Sequence, residues 1–248
     1  MAQARRYLLT GASSGIGEAL ARQLASKGYD LALAARREDS LQRLAAELRQ
    51  IQGRKVIVLP LDVTDYSACQ RAVGLARDAL GGLDGLIANA GIGLAGKAGS
   101  GHFERYQQTL ETNLIGAVAC LDAATELFRK QGHGHLVAIA SVAGKRGLPG
   151  SAGYSASKAG LISHMQSLEL ELYGSAIDTT TLMPGYIDTP INQNGGPRPF
   201  LIDVEKGARL IAQHIEKRSR KAYVPGWPWA VIGYVLSWLP TPLLARML

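Results

Sequence analysis

Short runs rich in apolar and β-branched residues recur along the chain at Arg6-Thr10, Leu31-Ala35, Lys55-Leu59, Gly85-Ala88, Leu136-Ser141 and Thr179-Leu182, and each predicts a strand. Helix-length amphipathic segments fill the gaps between them. Regular alternation of this kind calls for right-handed strand-helix-strand crossovers, which build a parallel sheet covered by helices on both faces. No repeat or low-complexity stretch interrupts the alternation, so residues 1–226 read as one α/β domain. Glycines stand where strands should end: Gly11, Gly15 and Gly17 after the first, Gly91 and Gly93 after the fourth, Gly144 and Gly147 after the fifth. In doubly wound sheets the loops at the carboxyl ends of the strands form the ligand crevice, so these glycines mark one functional edge.

Residues 227–248 break from this pattern. From Ala222 to Ala245 no residue is charged, all three tryptophans fall there, and Lys217-Arg218-Ser219-Arg220-Lys221 precedes it. The apolar stretch Trp229 to Leu239 is too short for a bilayer span, which needs about 20 residues. A basic collar beside a Trp-rich segment fits a peripheral anchor on an anionic membrane; it equally fits a segment buried between subunits. Both readings stand at this point.

The bulk figures add exclusions. Of the 248 residues 47% are hydrophobic and 19% charged, as expected of a folded soluble body. Cys69 and Cys120 have no spacing that predicts a metal site or a disulfide framework, so two buried thiols in a reducing compartment are expected. The run Tyr7-Leu9 behind Arg5-Arg6 is too short for a signal-peptide core, and a cytoplasmic location is expected, with the tail at the inner face of a membrane if it is an anchor. The net charge of +7 favours an anionic partner, but the cations are scattered and no aromatic-basic motif accompanies them, so nucleic acid is not expected. The histidines, of which only His133 and His135 are close in sequence, read as surface or turn residues with no metal.

Thr10-Gly11-Ala12-Ser13-Ser14-Gly15-Ile16-Gly17 follows the first strand and opens a helix running through Leu24. Glycines there allow a tight turn and a close backbone approach, and a helix N-terminus offers free N–H groups to a pyrophosphate. About 20 residues further on, dinucleotide-binding folds place an acidic residue on the ribose 2′-hydroxyl of NAD. Here that place is held by Arg36 and Arg37, whose guanidinium groups suit the 2′-phosphate of NADP. The other reading is that both arginines only cap a helix-side loop. Tyr154 and Lys158 are four apart on an expected helix and share a face. A tyrosine titrates near about 10, and a neighbouring ammonium, helped by an oxidised nicotinamide, would favour its ionised form and make it a usable acid or base. Ser141, at the end of the fifth strand, can hydrogen-bond a substrate carbonyl.

These motifs, with Asp62-Val63, Asn89-Ala90-Gly91, Asn113 and Pro184-Gly185, occur in the order and spacing of the short-chain dehydrogenase/reductase family, which the chain resembles from Tyr7 to about Gly226. The resemblance implies a single Rossmann-type doubly wound parallel sheet, a catalytic set of Asn113, Ser141, Tyr154 and Lys158, and an NADP-dependent carbonyl reductase that forms a homodimer or homotetramer. It further implies that Gly11, Ser13, Ser14, Gly15, Ile16 and Gly17 hold the pyrophosphate, that Asp62 and Val63 bind adenine, and that Asn89, Ala90 and Gly91 line the nucleotide loop. Ile187 and Thr189 would hold the nicotinamide carboxamide, and Tyr154, Lys158, Pro184 and Gly185 would also contact the cofactor. Asn113 would act through a helix kink and a water chain to Lys158. Many NADP-preferring relatives carry a base where this chain has Ser14, so the cofactor choice rests on Arg36 and Arg37. The segment after Gly185, with Asn194-Pro199 as an expected mobile flap, and the apolar Val142, Leu148, Tyr186 and Ile191 point to a lipophilic ketone or aldehyde as substrate. A catalytically idle NADP-binding sensor or scaffold is the alternative.

Overall fold

In the computed structural model, residues 5–51, 53–192 and 198–247 are described. Their strands are β1 (Arg6–Thr10), β2 (Asp30–Ala35), β3 (Val56–Pro60), β4 (Gly85–Ala88), β5 (Gly134–Ile139), β6 (Ile177–Pro184) and β7 (Lys221–Val224). They form one parallel sheet in the order β3-β2-β1-β4-β5-β6-β7. Side chains alternate across a strand, so each central strand feeds two cores. Tyr7 and Leu9 enter one and Leu8 enters the other. That two-sided burial explains why β1, β2 and β4 read as nearly continuous apolar runs.

Helices α1 (Gly15–Ser26), α2 (Glu38–Arg49) and, later in the chain, the helix Val204–Glu216 cover the first core through Leu20, Leu24, Leu41 and Ile211. The second core lies under α3 (Tyr66–Leu80), α5 (Gly116–Gln131) and α6 (Ala152–Glu171), with Val73, Leu121, Phe128 and Leu161 inside. Between α3 and α5 runs α4 (Phe103–Leu110), and Val204–Glu216 is α7. Asp65 and Asp203 start α3 and α7 by accepting the N–H of Ala68 at 2.9 Å and of Lys206 at 2.7 Å.

Two sequence expectations are corrected and a third is left outside the described residues. The sheet has a seventh strand: Lys221, expected in a surface cation cluster, opens β7 and pairs with Thr181. This edge strand has four residues, begins on a cation and carries no alternation, so it gave no strand signal. His135 is not a surface or turn residue but is fully buried. Its ring nitrogens bond the Tyr7 hydroxyl and the Thr180 hydroxyl, both at 2.8 Å, and burial pushes its pKa down to about 3. The expected Asn194-Pro199 flap falls largely on residues 194–197, outside the described residues.

The C-terminal segment folds into α8 (Gly226–Trp238) and α9 (Thr241–Met247). Pro228, Trp229 and Gly233 are buried against the body, and the Arg146 guanidinium donates to the Thr241 hydroxyl at 3.0 Å. Among the described residues no helix is long and apolar enough to cross a membrane.

Candidate active site

The loop from β1 into α1 is built by close approach. Gly11 and Gly15 have φ of +68° and +57°, in the left-handed region that favours glycine. A Cβ on Gly17 would lie 2.2 Å from the Gly11 carbonyl oxygen and 2.6 Å from the Asn89 amide nitrogen, so only glycine lets this helix start against the turn. Asn89 donates to the carbonyls of Thr10 at 3.0 Å and Gly11 at 3.2 Å, while the Thr10 hydroxyl accepts the N–H groups of Asn89 and Ala90, both at 3.1 Å. The exits of β1 and β4 are thereby braced to each other. Ser14 begins α1 in extended conformation and its side chain makes no capping bond, so the first N–H groups of the helix keep their capacity for an anion. Ile16 packs on the first core behind the turn. The cradle and the open helix end fit a dinucleotide pyrophosphate.

Arg36 and Arg37 both stand exposed beyond β2, but they diverge. The Arg37 guanidinium turns back to the Ser13 carbonyl and hydroxyl at 3.2 Å, beside the turn. Arg36 reaches toward Asp62, 3.9 Å away. Asp62 is itself fixed by accepting the backbone and hydroxyl of Thr64 at 3.0 and 2.9 Å, and Val63 is buried against Gly116. One rim of the crevice therefore carries two cations.

The second group converges at the ends of β4, β5 and β6. Asn113 is fully buried in a π-helical turn, Glu111–Ile115, between α4 and α5. That wider turn directs its amide to Ile92, donating to the carbonyl and accepting the N–H, both at 2.8 Å, and to Ser157 at 3.2 Å. Gly91 lies between Asn113 and the Lys158 ammonium. Ser141 follows β5; its hydroxyl accepts the Ala143 N–H at 3.1 Å and reaches the Pro184 carbonyl at 3.4 Å. Tyr154 is half-buried on α6, and Lys158, one turn on, is buried with Nζ 5.8 Å from the Tyr154 ring centre.

Burial raises the Tyr154 pKa, and the Ser141 hydroxyl partly offsets this. The Lys158 Nζ donates to the Ile139 carbonyl at 2.8 Å and faces the ring. Burial in turn pushes Lys158 down to about 8. In the chain alone, Tyr154 is thus a protonated acid at neutral pH.

The remaining residues close the crevice from above. Ile187 is buried, and Thr189 sits over Gly15, with its methyl group 3.4 Å from where a Cβ would be. Val142 is buried directly after Ser141, Leu148 and Tyr186 are partly buried, and Ile191 stands near Gly93. Sequence reasoning did not foresee Trp229. A Cβ on Gly185 would lie 2.1 Å from its indole, and Tyr186 and Phe200 meet the same ring edge-on at 5.6 and 6.2 Å. The glycine at 185, lacking a side chain, was the only local signal for such a partner.

The short chain dehydrogenase family profile matches residues 5–198. An uncharacterized oxidoreductase of Mycobacterium tuberculosis is 41% identical over 244 residues, covering 98% of this chain and 96% of that one. Among solved structures, the alcohol dehydrogenase of the archaeon Thermococcus sibiricus complexed with 5-hydroxy-NADP superposes with a TM-score of 0.81 at 27% identity, covering 89% of this chain and 96% of that chain. A short chain dehydrogenase/reductase of Burkholderia phymatum in complex with NAD gives 0.83 at 25% identity, covering 94% and 92%. With the family profile spanning most of the chain and a curated relative matching nearly end to end, this protein belongs to the short-chain dehydrogenase/reductase family of oxidoreductases.

Proposed function

We propose that the chain is an NADPH-dependent reductase of lipophilic ketones or aldehydes. The observation that carries the reading is the convergence of Ser141, Tyr154 and Lys158 beside the glycine-rich turn, with Tyr154 held in its acid form. A reduced nicotinamide dinucleotide, held by the turn from Gly11 to Gly17 and by Arg36 and Arg37 at the rim, would supply the hydride for the substrate carbonyl carbon. The Ser141 hydroxyl leaves Pro184 to donate to the carbonyl oxygen and fixes the substrate for attack. Tyr154 then gives its proton to the oxygen as negative charge develops there. Lys158, with a pKa of about 8, is matched to return a proton near neutral pH, and Asn113 holds the backbone of Ile92 beside it. Arg36 and Arg37 support NADPH over NADH, because both can turn to a 2′-phosphate at the rim. The apolar flank of Val142, Leu148 and Tyr186 supports a lipophilic substrate.

The test is loss of NADPH absorbance with a series of ketones and aldehydes of rising chain length. Turnover that improves with apolar length supports the reading. Tight NADPH binding without turnover of any carbonyl would make the chain a nucleotide-binding sensor instead.

A further inference from the structure

Helices α8 and α9 leave an apolar face without a partner among the described residues. Trp227, Trp238 and Tyr234 are 77%, 76% and 68% exposed, and Val231, Val235 and Leu243 extend the patch. Beside it lies a groove of about 320 Å³ lined by Lys145, Lys221, Tyr223, Tyr234, Ser237 and Trp238. Tyr234 and Trp238 also line an adjoining apolar groove of about 250 Å³ with Val235, Leu239 and Pro240. The two grooves together run from a cationic end to an apolar end.

Charge narrows what can cover this face. Among the described residues neither Lys145 nor Lys221 has an acidic partner, and no acidic residue occurs from 222 onward. Burial, and next the Lys221 ammonium, hold Lys145 below the usual lysine range, as expected of two uncompensated cations close together. A second copy meeting this face about a two-fold axis would bring only lysines or the apolar end of the same patch to the two cations, with no carboxylate from α8 or α9 to pair them. An anionic surface would neutralise them. Tryptophan and tyrosine beside lysine are also the residues that settle at the polar boundary of a bilayer.

We propose that this face seats on an anionic lipid bilayer, with a lipid headgroup between Lys145 and Lys221 and with Trp227, Tyr234 and Trp238 in the interfacial layer. The loop carrying Lys145 starts at Ser141, and Arg146 of the same loop is bonded to α9, so the docked face adjoins the proposed carbonyl site. The proposal does not depend on turnover and is tested without substrate.

The experiment is co-sedimentation of the full chain with vesicles of phosphatidylcholine alone or mixed with phosphatidylglycerol, read together with tryptophan fluorescence. Binding to the mixed vesicles, a blue shift from Trp227 and Trp238, and weakening by salt are expected. Trp227→Ser with Trp238→Ser should cut partitioning by more than about tenfold, with the melting temperature kept. Lys145→Gln with Lys221→Gln should reduce it by about 25-fold, at roughly fivefold per charge near an anionic surface. Equal binding to phosphatidylcholine vesicles, no binding to the mixed ones, or full binding by both double variants would overturn the proposal. If the chain ignores vesicles and the tryptophan variant elutes at a smaller size in gel filtration, the face is an interface between copies.

Discussion

Replacing Lys158 with methionine should make the protein more stable while destroying its activity. Burial depresses this lysine from its ordinary 10.5 to about 8, which corresponds to about 3 kcal/mol of destabilisation at about 1.4 kcal/mol per pH unit. Methionine fills similar space without a charge to desolvate. It also forfeits the 2.8 Å bond to the Ile139 carbonyl, whose loss costs about 1–2 kcal/mol. The balance is a gain of roughly 1–2 kcal/mol, or about 2–8 °C in melting temperature for a chain of this size. The sign with pH follows from the depressed value. Below about pH 8 the lysine is charged in both folded and unfolded chains, and the variant's advantage is complete. As pH rises from about 8 toward 10.5 the folded lysine sheds its proton first and the unaltered protein recovers stability, so the gap closes and then reverses, the variant ending lower by about the 1–2 kcal/mol of the lost bond. Urea or thermal melts of nucleotide-free protein at neutral and strongly alkaline pH measure this directly. A variant less stable than the parent at neutral pH, or a gap that ignores pH, would refute the reasoning.

Arg36→Ser with Arg37→Ser should weaken NADPH by about 10- to 100-fold, as for loss of charge-assisted phosphate bonds, with NADH little changed; equal losses in a fluorescence titration would show that the arginines do not read the 2′-phosphate. Gly17→Ala places a methyl group 2.2 Å from the Gly11 carbonyl, so the turn must open and NADPH affinity should fall by more than about tenfold; unchanged affinity in the same titration would contradict the cradle. His135, held neutral down to about pH 3, should contribute to acid lability: the unfolded chain takes up a proton below about pH 6.5 that the folded one refuses, so stability drops by roughly 1.4 kcal/mol per unit there. Urea titrations of the parent and of His135→Gln at neutral and mildly acid pH check this, the variant showing the flatter profile; parallel profiles would count against it.

Much of this architecture was legible because strands buried on both faces must be apolar throughout. Leu8 and Leu9 feed opposite cores, and so β1 and β4 were found with their observed limits. The edge strand Lys221–Val224 was not legible, since one flank faces solvent and its first residue is a cation. The site divides along the same physical line. Tyr154 and Lys158 were readable as a pair because helix geometry alone sets four residues on one face. Trp229 was not, because its meeting with Gly185 depends on how α8 returns to the sheet after β7, which no local pattern encodes. The bond from the Lys158 ammonium to the Ile139 carbonyl was not legible either, because it joins α6 to β5 across the fold. His135 was misplaced because its partners, Tyr7 and Thr180, lie on strands distant in sequence.

The central claim is that Tyr154 delivers the proton to a carbonyl substrate. Tyr154→Phe keeps the ring over Lys158 and removes only the hydroxyl, so the decisive measurement is its steady-state NADPH-dependent reduction of the best ketone or aldehyde, alongside its NADPH dissociation constant. Turnover should fall by about 10²- to 10⁴-fold, with NADPH affinity within about threefold of the parent, since only the proton transfer is lost. Turnover within about tenfold of the parent would contradict the account.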